Sequence, residues 1–257
     1  MWSSIHAKTV LPSIAAMIVL AITIGWLLRN KSEKIRMIPI QVISVVILLL
    51  EVAKQTYCIV TGYDLYSIPL HFCSLFLYFL PAMAFYFGKH KNIVRMMSVI
   101  ACTALFFAML IYPTIIYGES SILSFTTDFL SCHTVLYHNI VMFAFLLILA
   151  LRLFDVNTKQ DLIVILCTFL GYGIIASSMA NILKTNFNNY YYSGIGPVEN
   201  LRLSVIQNMG GFGQFLYVFA MIAIMVALMF LAYGFIRLYI VIFDKIKQKI
   251  NSKKQNA

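Results

Sequence analysis

Seven long apolar stretches, at about 11–28, 37–57, 69–87, 96–117, 129–151, 162–180 and 214–243, dominate this chain of 257 residues. Each is close to the roughly 20 residues that carry a helix across a hydrocarbon layer about 30 Å thick. Such a layer offers no water to backbone N–H and C=O groups, so each stretch must satisfy them internally, as a helix does. The composition agrees: 61% of residues are hydrophobic and 11% charged, against about half and a quarter in a typical soluble domain. That balance excludes an ordinary soluble enzyme and also a disordered chain, which needs low hydrophobicity and high charge. The first stretch is no cleaved signal peptide, because its basic residues, Arg29, Lys31, Lys34 and Arg36, follow the apolar run where a signal peptide places them before it. The expected fold is all-α, a polytopic integral membrane protein of seven transmembrane helices.

The charges set an expected direction. The formal net charge is +10. In a soluble chain that would point to nucleic acid; here the basic residues sort by loop, and no nucleic-acid partner is expected. Lys and Arg mark cytoplasmic loops. The four basic residues of loop 1–2 are matched by Lys89, Lys91 and Arg95 in loop 3–4, Arg152 and Lys159 in loop 5–6, and Lys245, Lys247, Lys249, Lys253 and Lys254 after the last span. The other side holds Lys8, Lys184 and Arg202 against Asp64, Glu119, Asp128 and Glu199. The N-terminus is therefore expected outside and the C-terminus inside, with a transmembrane domain over 1–244 and a basic cytoplasmic tail over 245–257. Residues 181–213, the longest non-apolar segment, then lie outside, as a site wall or as an interfacial loop whose tyrosines form an aromatic belt.

Ionisable residues inside a span are costly and are functional candidates by default. Glu51, Lys54 and Gln55 lie in the outer third of span 2. His71, Cys73 and Ser74 open span 3; Cys132, His133, Tyr137 and His138 occupy the outer half of span 5; Ser177, Ser178 and Asn181 close span 6. Four helices thus place polar groups at one depth. Glu51, Gln55 and Cys58 share a helix face, as do His133 and Tyr137. Glu51 and Lys54, at i and i+3, can also simply neutralise each other. His71 and Cys73 are two apart, about 200° around a regular helix, and converge only if Pro69 begins a distorted first turn; Cys73 with His133 across helices is easier.

A cysteine beside a histidine can lose its proton and attack an acyl carbonyl. The thioester then passes its acyl group to a second acceptor, or to water in a hydrolase. Outer-loop asparagines and tyrosines can donate to an oxyanion or a head group. His138 reads as a hydrogen bond between helices, and Cys58, Cys102, Cys132 and Cys167 as small packing residues. The five cysteines lack CxxC spacing, and neither HExxH, a P-loop nor a serine elbow occurs, so no metal and no cofactor is expected. Non-catalytic lipid binding or transport remains open, with Glu51, Lys54 and the histidines as a polar pocket.

The run Pro69-Leu70-His71-Phe72-Cys73-Ser74-Leu75 resembles the PLHxCS motif of YwaF-like bacterial membrane proteins, which belong with the transmembrane protein 164 family. Cys132-His133-Thr134-Val135-Leu136-Tyr137 resembles that family's second histidine motif, and Asn186-Phe187-Asn188-Asn189-Tyr190 its NxNN motif after the sixth helix. Order, spacing and seven spans agree, from span 2 to span 7. The resemblance implies a multi-pass protein of a bacterial cell membrane and cysteine-dependent transfer of a fatty acyl chain, with membrane phospholipid or lyso-phospholipid as partner. It implies Cys73 as the acyl-bearing nucleophile, His71 and His133 as base and orienting groups, and Asn186, Asn188 and Asn189 as head-group or oxyanion contacts. Glu51, Gln55, Tyr137 and Asn181 complete the candidate binding set. Here Cys132 directly precedes His133, and three tyrosines follow the asparagine motif, a departure from the family pattern.

Overall fold

A computed structural model describes residues 2–255, with the side chains of Ile115, Ile246, Lys247 and residues 249–255 outside the description. Among the described residues all regular structure is helical. The helices are α1 (Ser4–Leu28), α2 (Glu33–Thr61), α3 (Phe76–Phe85), α4 (Lys91–Ile111), α5 (Glu119–Leu123), α6 (Phe129–Leu151), α7 (Thr158–Leu183), α8 (Gly196–Met209) and α9 (Gly211–Gln255). Six of them, α1, α2, α4, α6, α7 and α9, are long and apolar enough to cross a membrane.

The best spans of α4 and α6 are 56% and 50% buried, against 22–28% for α1, α2, α7 and α9. The first pair therefore forms the centre and the other four the rim. α1 and α2 pack on α6, α3 sits between α2 and α4, and α7 and α9 close against α4. Met37, Ile40, Val99, Ile100, Leu147 and Ile148 fill the core at 0% exposure. The rim turns Val19, Ile22, Val52, Val60, Ile175 and Phe219 outward, an apolar girdle untenable in water and suited to lipid. Pro12 and Pro39 lie inside α1 and α2 without ending them.

The expected third span is realised differently. Its helix is short: a 3₁₀ turn at Phe72–Leu75 leads into the ten-residue α3. Together they rise about 23 Å, short of a full crossing. The chain leading into them, from Gly62 to His71, is non-helical apart from a 3₁₀ turn at Leu65–Ser67. His71 is extended (φ −73°, ψ 155°), so the distorted first turn that the His71–Cys73 spacing required is present.

The end of the bundle opposite to Cys73 is pinned by ions and carbonyls. Glu33 receives Lys91 at 2.9 Å and Arg95 at 2.7 Å, and Arg36 donates to Leu151 O at 2.7 Å. Tyr233 donates to the buried Asp161 at 3.0 Å, and Arg152 pairs with Asp244 at 2.9 Å. The backbone of residues 245–255 continues α9 as helix; the side chains of Lys247, Lys249, Lys253 and Lys254 lie outside the described residues. The 181–213 segment contains α8, which folds back on α9.

Candidate functional site

Unwinding the start of α3 exposes backbone groups that a helix would have satisfied. In an apolar bundle these need partners, and side chains from four other segments supply them. Gln55 of α2 donates to Ser67 O at 2.8 Å. His71 donates through Nε2 to Tyr66 O at 3.1 Å. Tyr172 of α7 donates to Leu70 O at 3.0 Å, and Asn188 both donates to Leu70 O at 3.1 Å and accepts from Phe72 N–H at 2.6 Å. Tyr137 of α6 donates to Cys73 O at 2.9 Å. The last bond fixes depth, since Tyr137 lies eight residues, about 12 Å, into α6. The Cys73 turn is therefore sunk within the bundle.

A charged hub adjoins this turn. Glu51 binds Lys54 at 2.8 Å and Gln55 at 2.7 Å through one oxygen; its other oxygen lies 3.8 Å from His133 Nε2. His133 Nε2 is buried without a hydrogen-bond partner. Its ring stacks on Tyr137 with centroids 5.6 Å apart, so Tyr137 touches His133 with its ring and Cys73 with its hydroxyl. The field of Lys54 reaches His71, Cys73 and His133 alike. Gln55 Oε1 accepts from Tyr63, which closes the hub towards the Gly62–His71 segment.

The structure thus gathers Glu51, Gln55, His71, Cys73, His133 and Tyr137 at one end of the bundle. Among the described residues, the Cys73 thiol makes no hydrogen bond to either imidazole. The asparagines are engaged with the protein itself. Asn186 donates to Asn189 Oδ1 at 3.4 Å and accepts from Tyr192 N–H; Asn189 accepts from Gly194 N–H at 3.0 Å. Asn181 donates to Ser177 O at 2.8 Å and accepts from Gln214 at 3.0 Å. His138, expected to bond between helices, instead donates to Thr134 O, one turn back on its own helix, at 2.7 Å. Cys58 is buried and Cys102 fully so, whereas Cys132 is half-buried and Cys167 exposed, so Cys167 is no core residue. Sequence reasoning missed Ser67 and Tyr172, which contribute through backbone contacts that no motif signals.

Among the described residues no group of three His, Cys, Asp or Glu is arranged to hold a metal ion. Two clefts, of about 350 and 320 Å³, lie away from this cluster. The first is lined by Phe106, Phe107, Phe145, Phe235 and Tyr239. Both have almost wholly apolar walls.

A helix bundle with an unwound helix start at a half-buried Cys/His/Glu/Lys cluster defines a multi-pass membrane protein with a polar site set into one end. The sequence model of the TMEM164 family matches residues 1–233, and the chain belongs to that family. No curated protein and no solved structure matches the chain.

Proposed function

We propose that this protein is an integral membrane acyltransferase that moves a fatty acyl chain between phospholipids through a thioester on Cys73. One observation carries the reading: the bundle unwinds the start of a helix, at depth, at a cysteine whose carbonyl is held by Tyr137, the residue whose ring stacks on His133, and non-helical backbone at that depth is tolerated only where it is buried in protein or lines a cavity. Family membership supports it.

In the proposed reaction His133 takes the Cys73 thiol proton, and sulfur bonds to the carbonyl carbon of a phospholipid acyl ester. The tetrahedral adduct collapses with rupture of the C–O bond. The lyso-lipid oxygen leaves with the proton returned by His133, and the acyl chain stays on sulfur. The hydroxyl of a second lyso-phospholipid then attacks the thioester; its proton passes through His133 to the departing sulfur, which regenerates the thiol. Glu51, 3.8 Å from His133 Nε2, stabilises the imidazolium formed on the way. Gln55, Asn181, Asn186 and Asn189 are the proposed head-group contacts. We further infer that the N-terminus lies outside, the C-terminus inside, and that residues 62–85 make the third of seven crossings, which places the site under the outer leaflet of a cell membrane.

The test is the intact mass of purified protein after incubation with mixed phospholipids, wild type beside Cys73→Ala. The expected result is a hydroxylamine-sensitive acyl adduct in the wild type alone, with the acyl chain recovered on lyso-phospholipid. Recovery as free fatty acid makes the protein a hydrolase. The missing thiol–imidazole hydrogen bond favours non-catalytic lipid binding, and an absence of adduct with unchanged lyso-lipid would establish that reading.

A further inference from the structure

Asn188 stands apart from its neighbours because every polar atom of its side chain is spent on the turn that carries Cys73. Its Oδ1 accepts from Phe72 N–H at 2.6 Å, and its Nδ2 donates to Leu70 O at 3.1 Å and to the Tyr172 hydroxyl at 2.7 Å. The two peptide groups it grips flank His71. Tyr172 completes a closed triangle by donating to the same Leu70 O at 3.0 Å. The residue before Asn188 holds His71 from the other side: Phe187, 0% exposed, meets the His71 ring edge-on at 5.3 Å. Backbone and ring of one histidine are thus held by two consecutive residues of a segment more than a hundred positions away.

The loop is shaped for this grip. Asn188 and Asn189 are both left-handed, at φ 54° and 61°, a conformation rare outside glycine and tolerated best by asparagine and aspartate. Such backbone persists where surrounding contacts over-determine it, and it clusters at functional sites. Tyr217 donates to Asn189 O at 2.5 Å and ties the loop to α9.

We propose that Asn188, with Tyr172, is a positioning residue that clamps the peptide on both sides of His71 and so fixes the turn presenting Cys73. Asn188 acts on the reaction through that turn and makes no lipid contact of its own. The kinetic arm of the test rests on the acyl-transfer reading; a second arm does not.

The experiment compares wild type, Asn188→Ala, Asn188→Asp and Tyr172→Phe, each checked for folding by gel filtration and thermal melting in detergent. The first readout is steady-state transfer against phospholipid concentration. The second is peptide-resolved alkylation of Cys73 by N-ethylmaleimide, with buried Cys102 as internal reference. The clamp predicts that Asn188→Ala lowers kcat by about 100-fold, the scale of a misplacement near 1 Å, with KM unchanged and the Cys73 alkylation rate altered several-fold. Asn188→Asp keeps the acceptor for Phe72 N–H and recovers part of the loss. Tyr172→Phe shows a smaller loss of the same kind, and stands in if Asn188→Ala does not fold. A raised KM at unchanged kcat overturns the proposal, because Asn188 would then touch lipid. If wild type transfers no acyl group, the acyl-transfer reading falls while alkylation still decides: a Cys73 rate equal in wild type and Asn188→Ala overturns the clamp, and a changed rate upholds it as a positioning device for the thiol.

Discussion

A carboxylate inside an apolar helix is costly unless its oxygens are used, and Glu51 uses both. One holds Lys54 and Gln55, and the other faces His133. Removing one partner of a buried pair strands the other, so Glu51→Ala is expected to cost about 3 kcal/mol of stability, whereas replacing both partners by apolar residues is nearly neutral. The double variant Glu51→Leu/Lys54→Met should therefore melt near wild type in detergent and yet fail to transfer acyl groups. A double variant that stays active would remove the pair from the mechanism. At this scale the sequence was informative about chemistry, because an ionisable residue in an apolar run is visible as such. The i, i+4 spacing paired Glu51 with Gln55, and the i, i+3 spacing paired it with Lys54. It could not show that Tyr172 and Asn188 bond the same carbonyl, since nothing local records a contact between residues 70, 172 and 188.

Helices here are defined as much by their breaks as by their lengths. Composition made 69–87 look like any other span, yet its helix begins only at Phe76 because side chains compete for its first peptide groups. The α8–α9 hairpin shows the same dependence on close approach. Gly210 turns the chain at φ 58°, and a Cβ on Gly213 would stand 2.6 Å from Val205 O. Backbone cannot yield as a side chain does, so Gly213→Ala should cost about 1–3 kcal/mol, the range for overpacking. It should also separate α8 from α9, read as faster hydrogen exchange across Gly196–Met209. α8 is held to the asparagine loop by Glu199, which accepts from Arg202 Nε at 2.8 Å and from Ser193 N–H at 2.7 Å. The Arg202 guanidinium, helped by that N–H, holds the Glu199 carboxyl below its ordinary range. A depressed carboxyl stabilises the fold above its ordinary pKa and loses that contribution as pH falls through the depressed value. Exchange in α8, corrected for intrinsic rate, should thus stay flat from neutral pH to about pH 5 and rise below the ordinary glutamate value of about 4.3. Glu199→Gln should show the looser state at neutral pH, and an α8 indifferent to that change would mean the contact holds nothing.

For the whole molecule, the proposed seven-crossing arrangement makes its own prediction. A single cysteine at exposed Ser120, between α4 and α6, should react with a membrane-impermeant maleimide on intact cells. One at exposed Asp155, between α6 and α7, should react only after permeabilisation, and the reverse pattern would invert the topology. The sequence by itself determined that this is a helical membrane protein, roughly where its six long apolar helices lie, and which polar residues gather at one end of them. Those are consequences of transfer free energy and helical periodicity, which act residue by residue along the chain. Only the tertiary structure decided that α4 and α6 form the centre, that the helix of the 69–87 stretch starts only at Phe76 after a 3₁₀ turn, and that the Asn188 loop grips the Cys73 turn. These depend on which backbone groups find partners across the bundle, and competition between a helix's own hydrogen bonds and a distant side chain is settled in three dimensions.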